Sequence, residues 1–342
     1  MYTKYHLFES NNNFEKYKDV ISILHGKRVE NPDISIMIPT YRRTEMLEKA
    51  IQSVLNQRTK HKYEIVVVDN DDSLSTDALD IVQKFDEEKV CYYKNKKNIG
   101  MFGNWNRCIE LAQSKWMLIL HDDDELAPGF IEDMLNTAEN TNLGAVTCNY
   151  QVINENDVLK KDSIKGSVLR KLSRDKVKAI MMKDFYYYCQ PMIWGTVFRT
   201  AFLKEIGGFD EKQYPCGDTV LLLNYCNKYG IVRNGKTLFY YRWAANESLK
   251  LSVQLENIAF NYYMRSELNK NYRFLNSKHD KWYRENIMKC HINSVMTSYN
   301  DKKSKVEISE FVEQNNLHDT SMFGPKLVNV LLKMYKLKCY VF

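Results

Sequence analysis

Between Asp33 and Tyr150 short apolar runs alternate with amphipathic stretches. The runs at Ile34–Ile38, Glu64–Val68, Val90–Tyr93 and Trp116–Leu120 are short, rich in Ile and Val, and predict buried strands. Between them, Glu45–Asn56, Thr76–Phe85 and Asn104–Gln113 carry apolar residues at helical spacing, with Thr44 as a candidate N-cap for the first. Strand–helix alternation predicts an α/β fold, a mostly parallel sheet with helices on both faces. In such sheets ligands bind beyond the carboxyl ends of the strands, where the loops gather.

After Tyr150 the pattern is less regular. Asn154–Gly166 is polar and predicts a loop or an edge hairpin, and Phe185–Tyr188 is an unbroken aromatic run. Trp194–Arg199 and Thr237–Trp243 read as strands, and Asp218–Lys228 as a helix. From about Val253 onward the pattern is helical, with long segments near Leu255–Leu268 and Lys281–Met296. The chain thus divides into an N-terminal extension (1–32), a regular α/β half (33–150), a second half (151–250) and a helical C-terminal extension (251–342).

The 342 residues are 44% hydrophobic and 27% charged, as in an ordinary folded protein. A formal charge of +6, dispersed along the chain, argues against a nucleic-acid partner. The eight cysteines form no C-x-x-C pair and no regular framework, so reduced, buried thiols are expected. No signal-peptide core opens the chain and no apolar run approaches the roughly twenty residues of a membrane span. A cytoplasmic protein is expected. After Asp319 there is no acidic residue, while Lys326, Lys333, Lys336 and Lys338 stand among apolar positions. A basic amphipathic end of that kind can rest on an anionic membrane surface or pack on the protein.

Three polar clusters follow the predicted strands. Leu120–Leu126 reads L-H-D-D-D-E-L, and three adjacent carboxylates repel one another unless a cation offsets them. Mg²⁺ or Mn²⁺ with a diphosphate is the natural partner, because such ions take oxygen ligands and complete their shell from phosphate and water. The bland alternative is a solvated turn that caps the helix opened by Pro128-Gly129. Val66–Asp72 reads V-V-V-D-N-D-D; a carboxylate there can accept a uracil imide N–H or a ribose hydroxyl, or simply belong to an Asp- and Asn-rich turn. Asn98–Asn106, N-I-G-M-F-G-N-W-N, has two glycines that let the backbone approach a ligand or make a tight turn. It is no dinucleotide fingerprint, since it does not follow the first strand, and no P-loop occurs.

The conjunction of these clusters, in this order, resembles a known family. Ile36–Arg43 (I-M-I-P-T-Y-R-R), Val68–Asp71, Asn98–Asn106 and His121–Asp124 look like the motifs of the family 2 inverting glycosyltransferases of the GT-A fold, over about Ile34 to Trp243. The resemblance implies that 33–150 is the nucleotide-sugar-binding half and 151–250 the acceptor-binding half. It implies that Pro39, Thr40 and Tyr41 hold the nucleotide and that Asp69, with Asp71 beside it, recognises uracil. Asn98 and Gly100 match the loop under the donor. Asp123 matches the metal ligand of the D-x-D-type segment, and Asp122 lies near ribose or metal. His121 departs from the Asp that many members carry, which leaves the ligands within the triplet open. Another departure is Trp243, Ala244 and Ala245, where members often carry a His that adds a metal contact.

Further along, Trp194–Phe209 resembles the family's acceptor-side segment, and Asp218 in C-G-D-T aligns with its catalytic base. Asp210 and Glu211 are the other carboxylates at hand, and Asp218 can equally cap the helix that follows. The aromatic run Phe185–Tyr188 with Trp194 can stack on acceptor sugars or belong to the core.

The expectation is therefore a metal-dependent inverting transferase. It would move a hexose or N-acetylhexosamine from a UDP-sugar to a saccharide acceptor, forming a β-linkage in capsule or O-antigen-type polysaccharide synthesis. Family habit implies a lipid-linked acceptor, such as an undecaprenyl-diphosphate saccharide, met at the inner face of the plasma membrane. Two rivals remain at this level, a non-catalytic nucleotide-sugar-binding protein and a sugar-nucleotidyltransferase. The latter calls for a glycine- and lysine/arginine-rich loop after the first strand, and I-P-T-Y-R-R lacks the glycines.

Overall fold

A computed structural model describes residues 5–85, 88–160, 171–187, 191–243 and 247–315. The α/β half begins with an edge strand β1 (Ser22–His25), then β2 (Ile34–Thr40), α1 (Leu47–Leu55), β3 (Tyr63–Asp69), α2 (Asp77–Val82) and β4 (Val90–Asn95). It continues through α3 (Gly100–Leu111), β5 (Trp116–Ile119), β6 (Glu125–Leu126) and α4 (Phe130–Glu139). Next come β7 (Ala145–Ile153), β8 (Val177–Ile180), α5 (Met182–Tyr187), β9 (Thr196–Arg199), α6 (Thr200–Glu205), α7 (Gly217–Tyr229) and β10 (Ile231–Arg242). Three helices close the described chain: α8 (Leu251–Tyr272), α9 (Ser277–Ser298) and α10 (Lys302–Gln314).

All the strands join one sheet, in the order β1-β4-β3-β2-β5-β9-β7-β10-β6, with β8 also paired to β10. The block β4-β3-β2-β5 is parallel, as the strand–helix alternation requires. Beyond it the sheet is mixed: β9 runs antiparallel between β5 and β7, while β7 and β10 are parallel. The apolar runs are unbroken rather than alternating because both faces are covered. Ile34, Ile36 and Ile38 of β2 pack on the α1, α2 and α4 side, and Met37 packs on the α3 side. On α1, Leu47, Ala50, Ile51 and Val54 recur at helical spacing and are fully buried. Each of the three larger ones adds roughly 1.5–3 kcal/mol of burial.

Helix boundaries differ from the sequence expectation at two informative places. Helix α1 starts at Leu47 with Met46 as N-cap, so Thr44 does not cap it. Helix α7 starts at Gly217, which puts Asp218 in the first turn rather than at the cap. The aromatic run also resolves. Phe185 and Tyr186 are core residues, and Tyr186 stacks on Tyr283 of α9, so they are not available to an acceptor. Tyr188 lies outside the described residues, as does the basic segment Lys326–Lys338. No helix among the described residues is long and apolar enough to cross a membrane. Cys91, Cys108, Cys148, Cys216 and Cys226 are buried free thiols.

The segment before β2 is a strap across the molecule. Tyr5 packs edge-on against Phe260 of α8 and donates to Glu256 at 2.6 Å. Arg107 of α3 donates to the Val20 and Tyr17 carbonyls at 2.7 and 2.8 Å. Arg28 forms a two-pronged pair with the buried Glu64 of β3, at 2.8 and 2.6 Å, which offsets that carboxylate within the apolar run. Gly207 anchors the strap: its carbonyl accepts from Asn13 N–H at 3.0 Å, its φ is +88°, and a Cβ there would lie 1.9 Å from the Asn11 carbonyl oxygen. Gly207→Ala is expected to lift the strap and lower thermal stability by at least about 1 kcal/mol, from the left-handed backbone alone. A melting temperature equal to wild type would show that the strap is not docked there.

Candidate active site

The carboxyl ends of β2, β3, β4 and β5 lie side by side, and the polar clusters singled out in the sequence are there. At the tip of β2, Pro39 and Thr40 are buried and Tyr41 is exposed. Thr40 donates its hydroxyl to Asp122 Oδ2 at 2.8 Å, tying β2 to the acidic loop after β5. At the tip of β3, Asp69 is held from two sides: Tyr92 O–H donates to Oδ2 at 2.6 Å and the Asp71 N–H to Oδ1 at 2.9 Å. Burial raises the Asp69 carboxyl above its ordinary range, against the pull of those bonds. Burial also lifts Asp71, but hydrogen bonds from Ser73 and the Arg42 guanidinium outweigh it and hold that carboxyl low.

Four asparagines stitch the next tip. Asn70 Nδ2 donates to Asn98 Oδ1 at 2.9 Å and to the Gly100 carbonyl at 3.2 Å, while Asn70 Oδ1 accepts from the Ile99 N–H at 3.0 Å. Asn95 bridges Asn70 and Asn104 at 3.1 and 2.9 Å. This network orients the start of α3, where Gly100 has φ +74° with open space beside it. Its glycine is required by the backbone turn, not by a crowded neighbour. Gly103 serves otherwise: a Cβ there would lie 2.8 Å from the Tyr17 ring of the strap. It is a packing glycine.

The acidic loop is largely buried: Asp122, Asp123 and Asp124 are 5%, 4% and 1% exposed. Burial pushes the Asp122 carboxyl up to about 7, opposed by Arg43, and raises Asp124 well above its usual range with Asp123 reinforcing. Burial drives His121 the other way, down to about 4, so it is neutral at pH 7. One ligand atom each from His121, Asp123 and Asp124 lies within 4.8 Å of the others. Asp124 Oδ2 and His121 Nε2 are buried without a hydrogen-bond partner. Asp122 is outside this group and faces Thr40 and Arg43 instead.

Asp218 lies in the other half, in the first turn of α7. Phe102 of α3 packs so tightly on Gly217 that a Cβ there would lie 2.6 Å from its ring, which sets Asp218 beside the start of α3. An aromatic wall continues from Phe102 to Trp105, at 5.1 Å between centroids, then to His121 and Trp194, which are themselves 3.9 Å apart. Burial raises the Asp218 carboxyl to about 6, although the Thr219 N–H donates to it at 2.7 Å. The two rival carboxylates are otherwise engaged. Asp210 caps the turn at Glu211–Gln213 by accepting from Lys212 N–H at 2.9 Å, and Glu211 pairs with Lys16.

Residues 35–198 match the description "Glycosyl transferase family 2". Those residues, just under half of the chain, carry a family 2 glycosyltransferase domain. The chain is 28% identical over 225 residues to the GalNAc(5)-diNAcBac-PP-undecaprenol beta-1,3-glucosyltransferase of Campylobacter jejuni, covering 65% of this chain and 68% of that one. It is 26% identical over 153 residues to the poly(ribitol-phosphate) beta-N-acetylglucosaminyltransferase TarP of Staphylococcus aureus, 41% of this chain and 46% of that one. The crystal structure of S. aureus TarS residues 1–349 with UDP-GlcNAc superposes with a TM-score of 0.52 at 18% identity, covering 77% of this chain and 81% of that chain. At that identity the likeness concerns the fold, which is GT-A.

Within the family 2 framework, several residues that the motifs do not single out stand at the site. Arg42 Nε pairs with Asp71 at 3.1 Å, and Arg43 pairs with Asp123 and lies 3.7 Å from Asp122. Arg242 is fully buried and braces the acidic loop: its backbone N–H donates to Asp124 Oδ1 and its Nε to the Asp123 carbonyl, both at 2.8 Å. The same guanidinium reaches the Asn154 carbonyl at 2.8 Å and pairs with Glu125 and Asp157. Tyr92 and Asn70 complete the set. Paired arginines after Tyr41 were a visible signal for the first two; nothing local announces Arg242 or Tyr92.

Proposed function

We propose that this chain transfers a hexose or N-acetylhexosamine from a UDP-sugar to a lipid-linked saccharide, inverting the donor's anomeric centre. The observation that carries the reading is the junction of Thr40 and the acidic loop, where β2 and β5 bring Asp122 and Asp123 under the loop that follows β2. In this reading 33–150 serves the donor, with Pro39, Thr40, Tyr41, Asp69, Asp71, Asn98 and Gly100 around the nucleotide. Residues 151–250 serve the acceptor, with Asp218 as base.

Asp69 is pre-oriented by Tyr92 and the Asp71 N–H, so a lone pair can meet a uracil imide without rearrangement. Asp218 takes the proton of the acceptor hydroxyl as its oxygen attacks the anomeric carbon. The bond from that carbon to the diphosphate oxygen breaks, and its electron pair leaves with UDP. Attack opposite the leaving group turns an α-linked donor into a β-linked product. The donor set fits a divalent cation, since Asp123 clusters with His121 and Asp124, each of which also has a buried polar atom without a hydrogen-bond partner. Mn²⁺ or Mg²⁺, held by Asp123 and Asp122 with His121 and Asp124 at hand, would supply Lewis-acid stabilisation of charge on the diphosphate.

The Campylobacter relative's name, an undecaprenol-diphosphate-linked acceptor and a β-1,3 linkage, supports a lipid-linked acceptor and a β-product here. UDP-GlcNAc in the TarS crystals supports a UDP-sugar donor. With such an acceptor the enzyme would work in capsule or O-antigen-type assembly, in the cytoplasm against the inner face of the plasma membrane. The composition of Lys326–Lys338 supports that contact. The test is UDP release from a panel of nucleotide sugars, with Mn²⁺, with Mg²⁺ and with EDTA. Release from a UDP-hexose or UDP-N-acetylhexosamine, lost on chelation, is expected. Release that EDTA leaves unchanged would remove Asp123 from the ligand role, and release only from another nucleotide's sugar would remove Asp69 from uracil recognition.

A further inference from the structure

The loop between β2 and α1 carries two successive arginines, and they go to two different strand tips. Arg42, at φ +52°, turns to Asp71 after β3, and Arg43 turns to Asp123 and Asp122 after β5. The two ends of the Arg43 pair differ in freedom. The carboxylates are 7% and 5% exposed, whereas the Arg43 side chain is 50% exposed and sits on a loop before the first turn of α1. The acids are held in place: Asp122 by Thr40, and the Asp123 backbone by Arg242. The guanidinium can therefore move while its partners stay.

A cation that takes Asp123 Oδ2, the oxygen Arg43 pairs with, displaces this guanidinium. That displacement removes a favourable ion pair, so a cation arriving alone binds against a cost. A diphosphate changes the balance, because a planar guanidinium fork matches two phosphate oxygens as well as it matches a carboxylate. Once the diphosphate offers that second partner, leaving Asp123 costs little. We propose that Arg43 is an exchangeable counter-ion, holding the Asp122–Asp123 carboxylates until a nucleotide diphosphate draws it off, so that the divalent cation and the diphosphate bind cooperatively. This rests on the donor site proposed above and adds an order of events to it: the acids are not open to bare metal. The arginine offsets carboxylate charge in the empty site and phosphate charge in the filled one.

The experiment is calorimetric titration of the full chain with Mn²⁺, alone, with UMP and with UDP, for wild type and for Arg43→Gln, Arg43→Lys and Arg42→Gln. Phosphates that ligate the ion couple the two ligands in any such site, so the diagnostic is the change when Arg43 is removed. Because linkage is reciprocal, the coupling can be read from either ligand. Arg43→Gln is expected to bind bare Mn²⁺ more tightly than wild type and to lose about fivefold or more of the Mn²⁺–UDP coupling. The loss should be much smaller with UMP, which has no diphosphate. Arg43→Lys, which keeps the charge but not the fork, should bind bare Mn²⁺ as weakly as wild type and keep part of the coupling. Arg42→Gln, whose partner is Asp71, should leave bare Mn²⁺ affinity unchanged. Arg43→Gln with wild-type bare affinity and wild-type coupling overturns the counter-ion role. Wild type that binds neither UDP nor Mn²⁺ overturns the donor site itself, and the proposal with it.

Discussion

Asp218→Asn is expected to cut sugar transfer by about 10²–10⁴-fold while UDP binding is unchanged, since positioned proton transfer contributes on that order. The substitution is close to isosteric, and an amide oxygen can still accept the Thr219 N–H that now reaches Asp218 at 2.7 Å. The loss should therefore fall on kcat. The same carboxyl sets a pH dependence. Burial raises it to about 6, so it is protonated and inactive as a base below that value, and transfer by wild type should rise through about pH 6 and level off above. The stability sign is opposite. An ordinary Asp titrates near 3.9, so the fold favours the protonated form, and that contribution is complete below about 4 and lost as pH rises through about 6. Asp218→Asn should accordingly be no less stable than wild type at pH 8. Turnover that survived the change, with a folded protein, would sink the base assignment.

Arg242→Met is expected to destabilise the protein by about 1–3 kcal/mol, the range for leaving a buried hydrogen-bonding group without its partner. No part of the Arg242 side chain is exposed, and it serves the Asp123 and Asn154 carbonyls together with Glu125 and Asp157. Methionine fills much of the volume but takes the donor from the Asp123 carbonyl and the cation from Glu125. Glu125, already raised by burial, would lose the guanidinium that pulls it down. Arg242→Lys should fail almost as badly, because a single ammonium cannot reach carbonyls and carboxylates on two segments at once. Urea unfolding measures the first effect. Mn²⁺ binding in the surviving folded fraction measures the second, a displaced Asp123–Asp124 loop. Wild-type stability in both variants would mean that the acidic loop stands without its brace.

Much of the donor side was legible because its signals are local. Apolar runs covered on both faces, as in Ile34–Thr40 and Tyr63–Asp69, read as continuous hydrophobic strands, and the polar residues that end them mark the strand tips. The acceptor side was less legible. Strand β7 (Ala145–Ile153) mixes Thr, Asn and Gln into its run, with Thr147 and Asn149 buried and Asn149 donating to the Gly235 carbonyl at 2.7 Å, which hides the periodicity. The aromatic run was ambiguous for another reason: Phe185 and Tyr186 fill a core that only the C-terminal helices complete. Gly103 could not be told from Gly100 by sequence, since one faces the strap and the other open space.

What the amino-acid order determined unaided is the parallel α/β block and the row of carboxylates at its strand ends. Hydrophobic spacing reports how each short segment is covered, and that information lies within a dozen residues. What the tertiary structure alone decided is which cations answer those carboxylates. Arg43 meets Asp123 across 80 positions, Arg242 meets Glu125 across 117, and Arg28 meets Glu64 through a strap that bears no pattern of its own. Charge pairs act over a few ångströms of space whatever the distance along the chain, so they come into being only when the sheet has closed.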